Sequence, residues 1–311
     1  MPMRKKLARI AAAVLLFAAG ALYGGCFYLL RSALSHRVEA FAATPAIYNL
    51  PDETVALTSS DGIPLKAWWT APAGSKPRAV VVLLPGMDGL DASSLLGHAK
   101  FLQDAGYAAL ALDTRAHGRS GGSRMGSSIE EPRDVNAALD WLRHDPRVAG
   151  VPVVLLGVSM GGATALRTAA FRPDVAAVIS VSAFCSVNQS IEEILEATKT
   201  PRVMAAILTP FMRLAMATLY RVGPSALSSM NYIERIPPRP ILILHGTADD
   251  QIKARNAFWL ASAAGGRAQL SVIEGAGHCV FKHDATGPES ALYRAKILQF
   301  LDSAAPRRGG V

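Results

Sequence analysis

Cysteine is scarce, and its three positions (Cys26, Cys185 and Cys279) show none of the paired spacings of a metal site. Cys26 falls in an apolar run. Cys185 and Cys279 each follow a presumed sheet strand, so they read either as two free thiols or as a disulfide made in an oxidising compartment. The chain also lacks a phosphate-binding glycine loop, internal repeats, low-complexity blocks and any basic helix with interleaved aromatics. A repeat architecture and a nucleic-acid footprint are thereby disfavoured, and no cofactor or metal is expected. The net charge of +8 does not argue otherwise, because part of it is local. Arg4, Lys5, Lys6 and Arg9 head the chain, where a basic cluster suits anionic lipid, and Arg307 and Arg308 lie in its Gly-rich tail. The length of 311 residues allows one domain plus a leader and is too short for two large domains.

What is present begins with that leader. Residues 1–9 form a basic head, and Ile10 to Leu30 contain no charge. A 21-residue helix rising 1.5 Å per residue spans a hydrocarbon core of about 30 Å. Four basic residues precede the run, while Arg31 and Arg37 follow it. This bias predicts an uncleaved signal anchor with the N-terminus inside and the remainder on the extracytoplasmic side. The competing expectation is a signal peptide cut after Ala42 or within Ala18-Ala19-Gly20, giving a secreted or periplasmic protein. Residues 31–51 read as a linker, 52–303 as the folded domain and 304–311 as a flexible tail.

Within the domain, Gly157-Val158-Ser159-Met160-Gly161 follows the strand-like run Val153-Leu156 and opens a small-residue helix from Gly162 to Phe171. Strand, sharp turn and helix form the context in which G-x-S-x-G places a serine at an exposed apex, at positive φ. A Cβ at either flanking glycine would meet the neighbouring strand or helix. The helix start aims unpaired N–H groups at charge developing beside the serine. Ser159 is therefore the candidate nucleophile. A serine needs a base, and the base an orienting acid. Strand Pro240-Leu244 leads into His245-Gly246-Thr247-Ala248-Asp249-Asp250, and strand Gln269-Ile273 into Glu274-Gly275-Ala276-Gly277-His278. Both candidates thus follow the carboxyl ends of strands, where open α/β sheets place their sites. Asp249 is the expected acid and His278 the expected base, with Asp250 and His283 as rivals.

The loops GVSMGG, HGTADD and GAGHCVF, in this order, resemble the α/β-hydrolase superfamily over about residues 52–303. Val80-Leu84 with Pro85-Gly86-Met87-Asp88-Gly89 resembles that superfamily's third strand and oxyanion loop, with Pro-Gly where many relatives have His-Gly. Asp113 to Ser120 is similar to its D-x-R-G-H-G-x-S loop, with Ala116 in place of the glycine and His117 as a loop-shaping residue. The resemblance implies an α/β-hydrolase fold: an eight-stranded, mostly parallel sheet covered by helices on both faces. It also implies an oxyanion hole from the N–H groups of Met87 and Met160. A serine at the elbow argues against the haloalkane dehalogenases and epoxide hydrolases of this fold, which use aspartate. Looser similarity points to the Bem46-like and depalmitoylase-like groups, hence to an esterase or thioesterase.

The remaining pattern agrees with this reading. Thr54-Ser59 and Leu65-Ala71, joined through Asp61-Gly62, predict a hairpin. Leu95-Ala105, Val135-Arg143 and Glu289-Ser303 predict helices alternating with strands, which means a mainly parallel sheet. About sixty residues separate the strand at Val178-Val181 from the strand at Ile241, more than a crossover needs. Helices are expected at Ile191-Ala197 and Val203-Leu219, the latter bent at Pro210, and together they read as a small cap over about 184–236. Their methionines and leucines would give either a pliable apolar pocket or plain core. The sequence therefore predicts a membrane-anchored serine hydrolase acting on a small-molecule or lipid-like acyl substrate. The alternatives are a serine amidase or peptidase of the same fold, and a non-catalytic interaction module.

Overall fold

The computed structural model describes residues 2–39, 43–87, 91–282 and 285–304. Ala40–Ala42, Asp88–Leu90, the tail from residue 305 and the rival base His283 lie outside the described residues. The chain opens with one continuous helix, α1 (Pro2–Leu34), in which the basic head and the apolar run are a single rod. Lys and Arg are good helix formers, so the head need not break from the span. The hairpin β1 (Glu53–Thr58) and β2 (Pro64–Thr70) follows, antiparallel in register as its Asp-Gly turn predicts.

From there strands and helices alternate: β3 (Val80–Leu84), α2 (Leu96–Asp104), β4 (Ala108–Asp113), α3 (Pro132–His144), β5 (Val153–Val158), α4 (Met160–Phe171) and β6 (Val175–Val181). Three helices then interrupt the alternation: α5 (Val187–Ala197), α6 (Arg202–Tyr220) and the short α7 (Met230–Ile233). The chain ends with β7 (Ile241–Gly246), α8 (Arg255–Ala263), β8 (Gln269–Ile273) and α9 (Ala291–Ala304). The eight strands form one sheet in the order β1-β2-β4-β3-β5-β6-β7-β8. β1 and β2 are antiparallel and every pair from β4 to β8 is parallel. This is the mostly parallel eight-stranded sheet that the sequence resemblance implies.

Burial follows the two-residue period of each strand. In β3, Val80, Val82 and Leu84 join the core beneath α3, α4 and the inserted helices. Val81 and Leu83 join the core beneath α2 and α9 on the other face. Strands buried on both faces lack polar alternation, which is why β3 to β7 read as continuous apolar runs. The loop after β4 is fixed from within. Arg115, almost fully buried, bonds the Asp134 carboxylate at 2.7 Å and Asp61 at 2.8 Å. Ala116 adopts φ 60°, the left-handed region that glycine takes at no steric cost.

The stretch read as a linker is held to the domain. Val38 donates to Ala116 O at 2.8 Å and accepts from Gly118 N at 2.8 Å. Pro45–Tyr48 form a 3-10 turn, and Leu50 is buried.

Candidate active site

The turn from β5 into α4 has the strained form that its sequence requires. Ser159 stands at φ 54°, ψ −118°, outside the regions open to ordinary L-residues. Its N–H donates to Val181 O at 2.8 Å, tying the apex to β6. A Cβ on Gly157 would strike the backbone of Gly161, and one on Gly161 would strike Leu84 O, in both cases far inside contact distance. Only glycine permits so close an approach of helix to strand. Met160 begins α4, so its N–H is among the four amides that a helix start leaves without an intrahelical partner.

The two later loops converge on one carboxylate. Ala248 N donates to Ala276 O at 2.9 Å, and Gly275 N to Thr247 Oγ1 at 2.8 Å, stitching the loop after β7 to the loop after β8. Gly246 allows this, because a side chain there would meet Ala276 O. Asp249 is buried, and its Oδ1 accepts from Gln251 N at 3.0 Å and Ile252 N at 2.8 Å. Its Oδ2 lies 2.8 Å from His278 Nδ1. An ionised carboxylate only accepts, so Nδ1 carries the hydrogen and Nε2 is left free to take a proton. Asp250 is exposed, and its backbone oxygen receives Lys253 Nζ at 3.4 Å. The structure therefore brings Asp249, and not Asp250, to His278.

A second histidine, with no expected role in the sequence, completes the arrangement. His245 is fully buried, with Nε2 3.0 Å from Asp249 Oδ2 and 2.8 Å from Ile252 O. Two acceptors face that nitrogen, so it too donates to Asp249. Burial by itself would raise the Asp249 carboxyl. Hydrogen bonds from His245, His278 and the Ile252 amide outweigh burial and hold it well below the usual carboxylate range. The only signal in the sequence was its place at the end of β7, four residues before the aspartate.

Ser159, Met160, Met87 and His278 line one cavity of about 550 Å³. Phe184, Val187, Ile191 and Met216 from the segment between β6 and β7 close another part of it. Glu193 of α5 fixes that segment through Asn256 Nδ2 at 3.0 Å and Arg255 Nε at 2.9 Å. Of the apolar side chains expected on α6, Met212, Met216 and Leu219 are buried, and Met204, Ile207 and Leu214 face outward. Cys279 also borders the cavity, but burial, with the charge of Asp249, raises its thiol and keeps it protonated. Burial likewise pushes Cys185 up to about 12, with Glu193 adding to the shift. All three cysteines are free. Among the described residues no cluster of His, Cys, Asp or Glu could hold a metal ion.

Sheet order, elbow and cavity together define the class: the chain belongs to the α/β-hydrolase superfamily. Within it, the sequence profile of the family described as "Serine aminopeptidase, S33" matches residues 75–224. Human monoglyceride lipase is 28% identical over 262 residues, covering 73% of this chain and 83% of its own. The α/β-hydrolase domain-containing protein WAV2 of Arabidopsis thaliana is 26% identical over 282 residues, covering 87% and 85%. An esterase of Pyrococcus furiosus superposes with a TM-score of 0.68 at 19% identity, covering 86% of this chain and 98% of that one.

Proposed function

We propose that this protein is a membrane-anchored serine hydrolase that cleaves a carboxylic ester or thioester through an acyl-enzyme. Ser159 Oγ attacks the acyl carbonyl while His278 Nε2 takes its proton. Asp249 holds the imidazole by Nδ1 and stabilises the imidazolium that forms. The N–H groups of Met87 and Met160 receive the oxyanion, a contribution of about 2.7–4 kcal/mol per donor in such sites. The tetrahedral adduct collapses, and His278 returns the proton to the departing alcohol or thiol. Water then repeats the sequence in reverse and frees the acid.

One observation carries this reading. A serine held at φ 54° at the head of a helix shares a cavity with a histidine whose Nδ1 is fixed 2.8 Å from a buried carboxylate. The relatives named as a lipase and an esterase favour acyl substrates. The cavity favours an ester over the free-amine substrate of an aminopeptidase. Among the described residues that line it there is no Asp or Glu, so none of those side chains would pair with an ammonium group. The anchor rests on α1, in which an 18-residue window within Met3–Leu34 has mean hydropathy 2.0 and the helix is long enough to cross a bilayer. The charge bias at its ends supports a domain on the extracytoplasmic side.

A fluorophosphonate probe tests the proposal. The folded full-length protein should be labelled and Ser159→Ala should not. An unlabelled wild type that remains folded would leave the non-catalytic interaction module as the better account.

A further inference from the structure

The leader helix does not leave the domain after its apolar run. Cys26 and Leu34 of α1 are buried, and Leu22, Tyr23, Phe27 and Leu30 pack against the same core. These positions recur every three or four residues, the stripe of one helix face, and α6 is the neighbour it runs along. The outward face is open, with Tyr28 74% and Leu29 61% exposed. Past the helix the chain is fastened to the loops after β4. Leu34 O accepts from Met125 N at 3.0 Å, and Arg37 bonds Gly122 O at 3.1 Å and Gly118 O at 3.2 Å. The last turn of α1 is thereby held where Leu30, Ala33 and Leu34 line the cavity that contains Ser159 and His278.

We propose that this last turn is the wall against which the substrate's acyl chain lies, so that α1 determines specificity as well as location. The substrate class is then a long-chain acyl ester or thioester drawn from the lipid phase. The inference rests on the reading of Ser159 as the nucleophile. Leu30 ends the uncharged span and also lines the cavity, so the site begins where the bilayer-crossing stretch stops. Ile194 lines the same cavity while remaining 56% exposed, which makes part of the rim apolar and accessible. On α6, the exposed Val203, Ile207 and Leu214 share one helical face and extend the apolar surface of the helix beside α1. A lipid surface is the occupant that accounts for this exposure, because the span of α1 already enters it. A short acyl group dissolved in water would use none of the wall.

The test is the ratio of kcat/KM for p-nitrophenyl palmitate to that for p-nitrophenyl acetate, measured on the full-length chain in phospholipid nanodiscs. Ala33→Trp fills the wall and should lower the ratio by about tenfold or more, palmitate turnover falling further than acetate turnover. Leu30→Ala, which only removes atoms, should also lower it severalfold and decides the matter if the tryptophan is not accommodated. Leu29→Trp, on the outward face, should leave it unchanged. An unaltered ratio in the variants that still label, or an equal change in Leu29→Trp, overturns the role of α1 and leaves the serine reading intact. Failure of the wild type to label overturns the serine reading instead.

Discussion

At the scale of single residues the site is organised around Asp249, whose carboxylate takes four hydrogen bonds: two from backbone amides and one from each of two histidines. Replacing it by asparagine presents an amide to His278 Nδ1 and favours the wrong tautomer. Asp249→Asn should therefore lower kcat on a p-nitrophenyl ester by about 10⁴-fold, while Asp250→Asn changes it less than about twofold. Comparable losses in the two variants would show that the imidazole is not held as described. The pairing of Asp249 with His278 was legible because each follows a strand in the expected order. His245 was not, because nothing in a turn of sequence shows that a histidine folds back to bond the residue four positions on. Choosing between Asp249 and its neighbour likewise depended on which side chain the loop turns inward, a fact of burial and not of spacing.

At the scale of elements, the elbow was the most legible part of the chain, because its glycines mark where backbone passes backbone. Gly157→Ala introduces a Cβ into the carbonyl of Gly161. Strain of that kind costs about 1–3 kcal/mol or more, so the variant should melt several degrees lower and lose most probe labelling. Gly223 provides the contrast: its φ is −68° and an added Cβ meets only Ser225 Oγ at 4.0 Å. Gly223→Ala should keep both Tm and labelling. If Gly157→Ala melts and labels like the wild type, the close approach of helix to strand is not what selects glycine. The parallel strands were equally plain, as runs buried on both faces. Helix α8 was not anticipated: Arg255–Ala263 is short and rich in small residues, so its apolar spacing is faint beside that of α3. The extent of α6 was legible, but not which of its methionines turn inward. That depends on α1 covering one side of it, and the contact joins residues far apart in sequence.

At the scale of the whole molecule, a leader and a domain read as separate parts prove to share a wall, and this bears on whether the leader is removed. A cut within Ala18-Ala19-Gly20 would spare every packed residue of α1 from Leu22 onward. A cut after Ala42 would strip Leu34 and Val38 from the interior and remove the bonds to Ala116, Gly118, Gly122 and Met125. Each buried aliphatic side chain is worth about 1.5–3 kcal/mol, and the lost backbone bonds add to that. The form beginning at residue 43 should accordingly melt on the order of 10 °C below the form beginning at residue 20, by circular dichroism in the same detergent. It should also label more slowly with a long-chain fluorophosphonate while keeping its rate with a short one, since the wall is gone and the elbow is not. Equal melting temperatures and equal labelling would mean that residues 22–38 lie on the domain without supporting it. In that case the role of α1 contracts to tethering, and a secreted form released at Ala42 would be as competent as the anchored one.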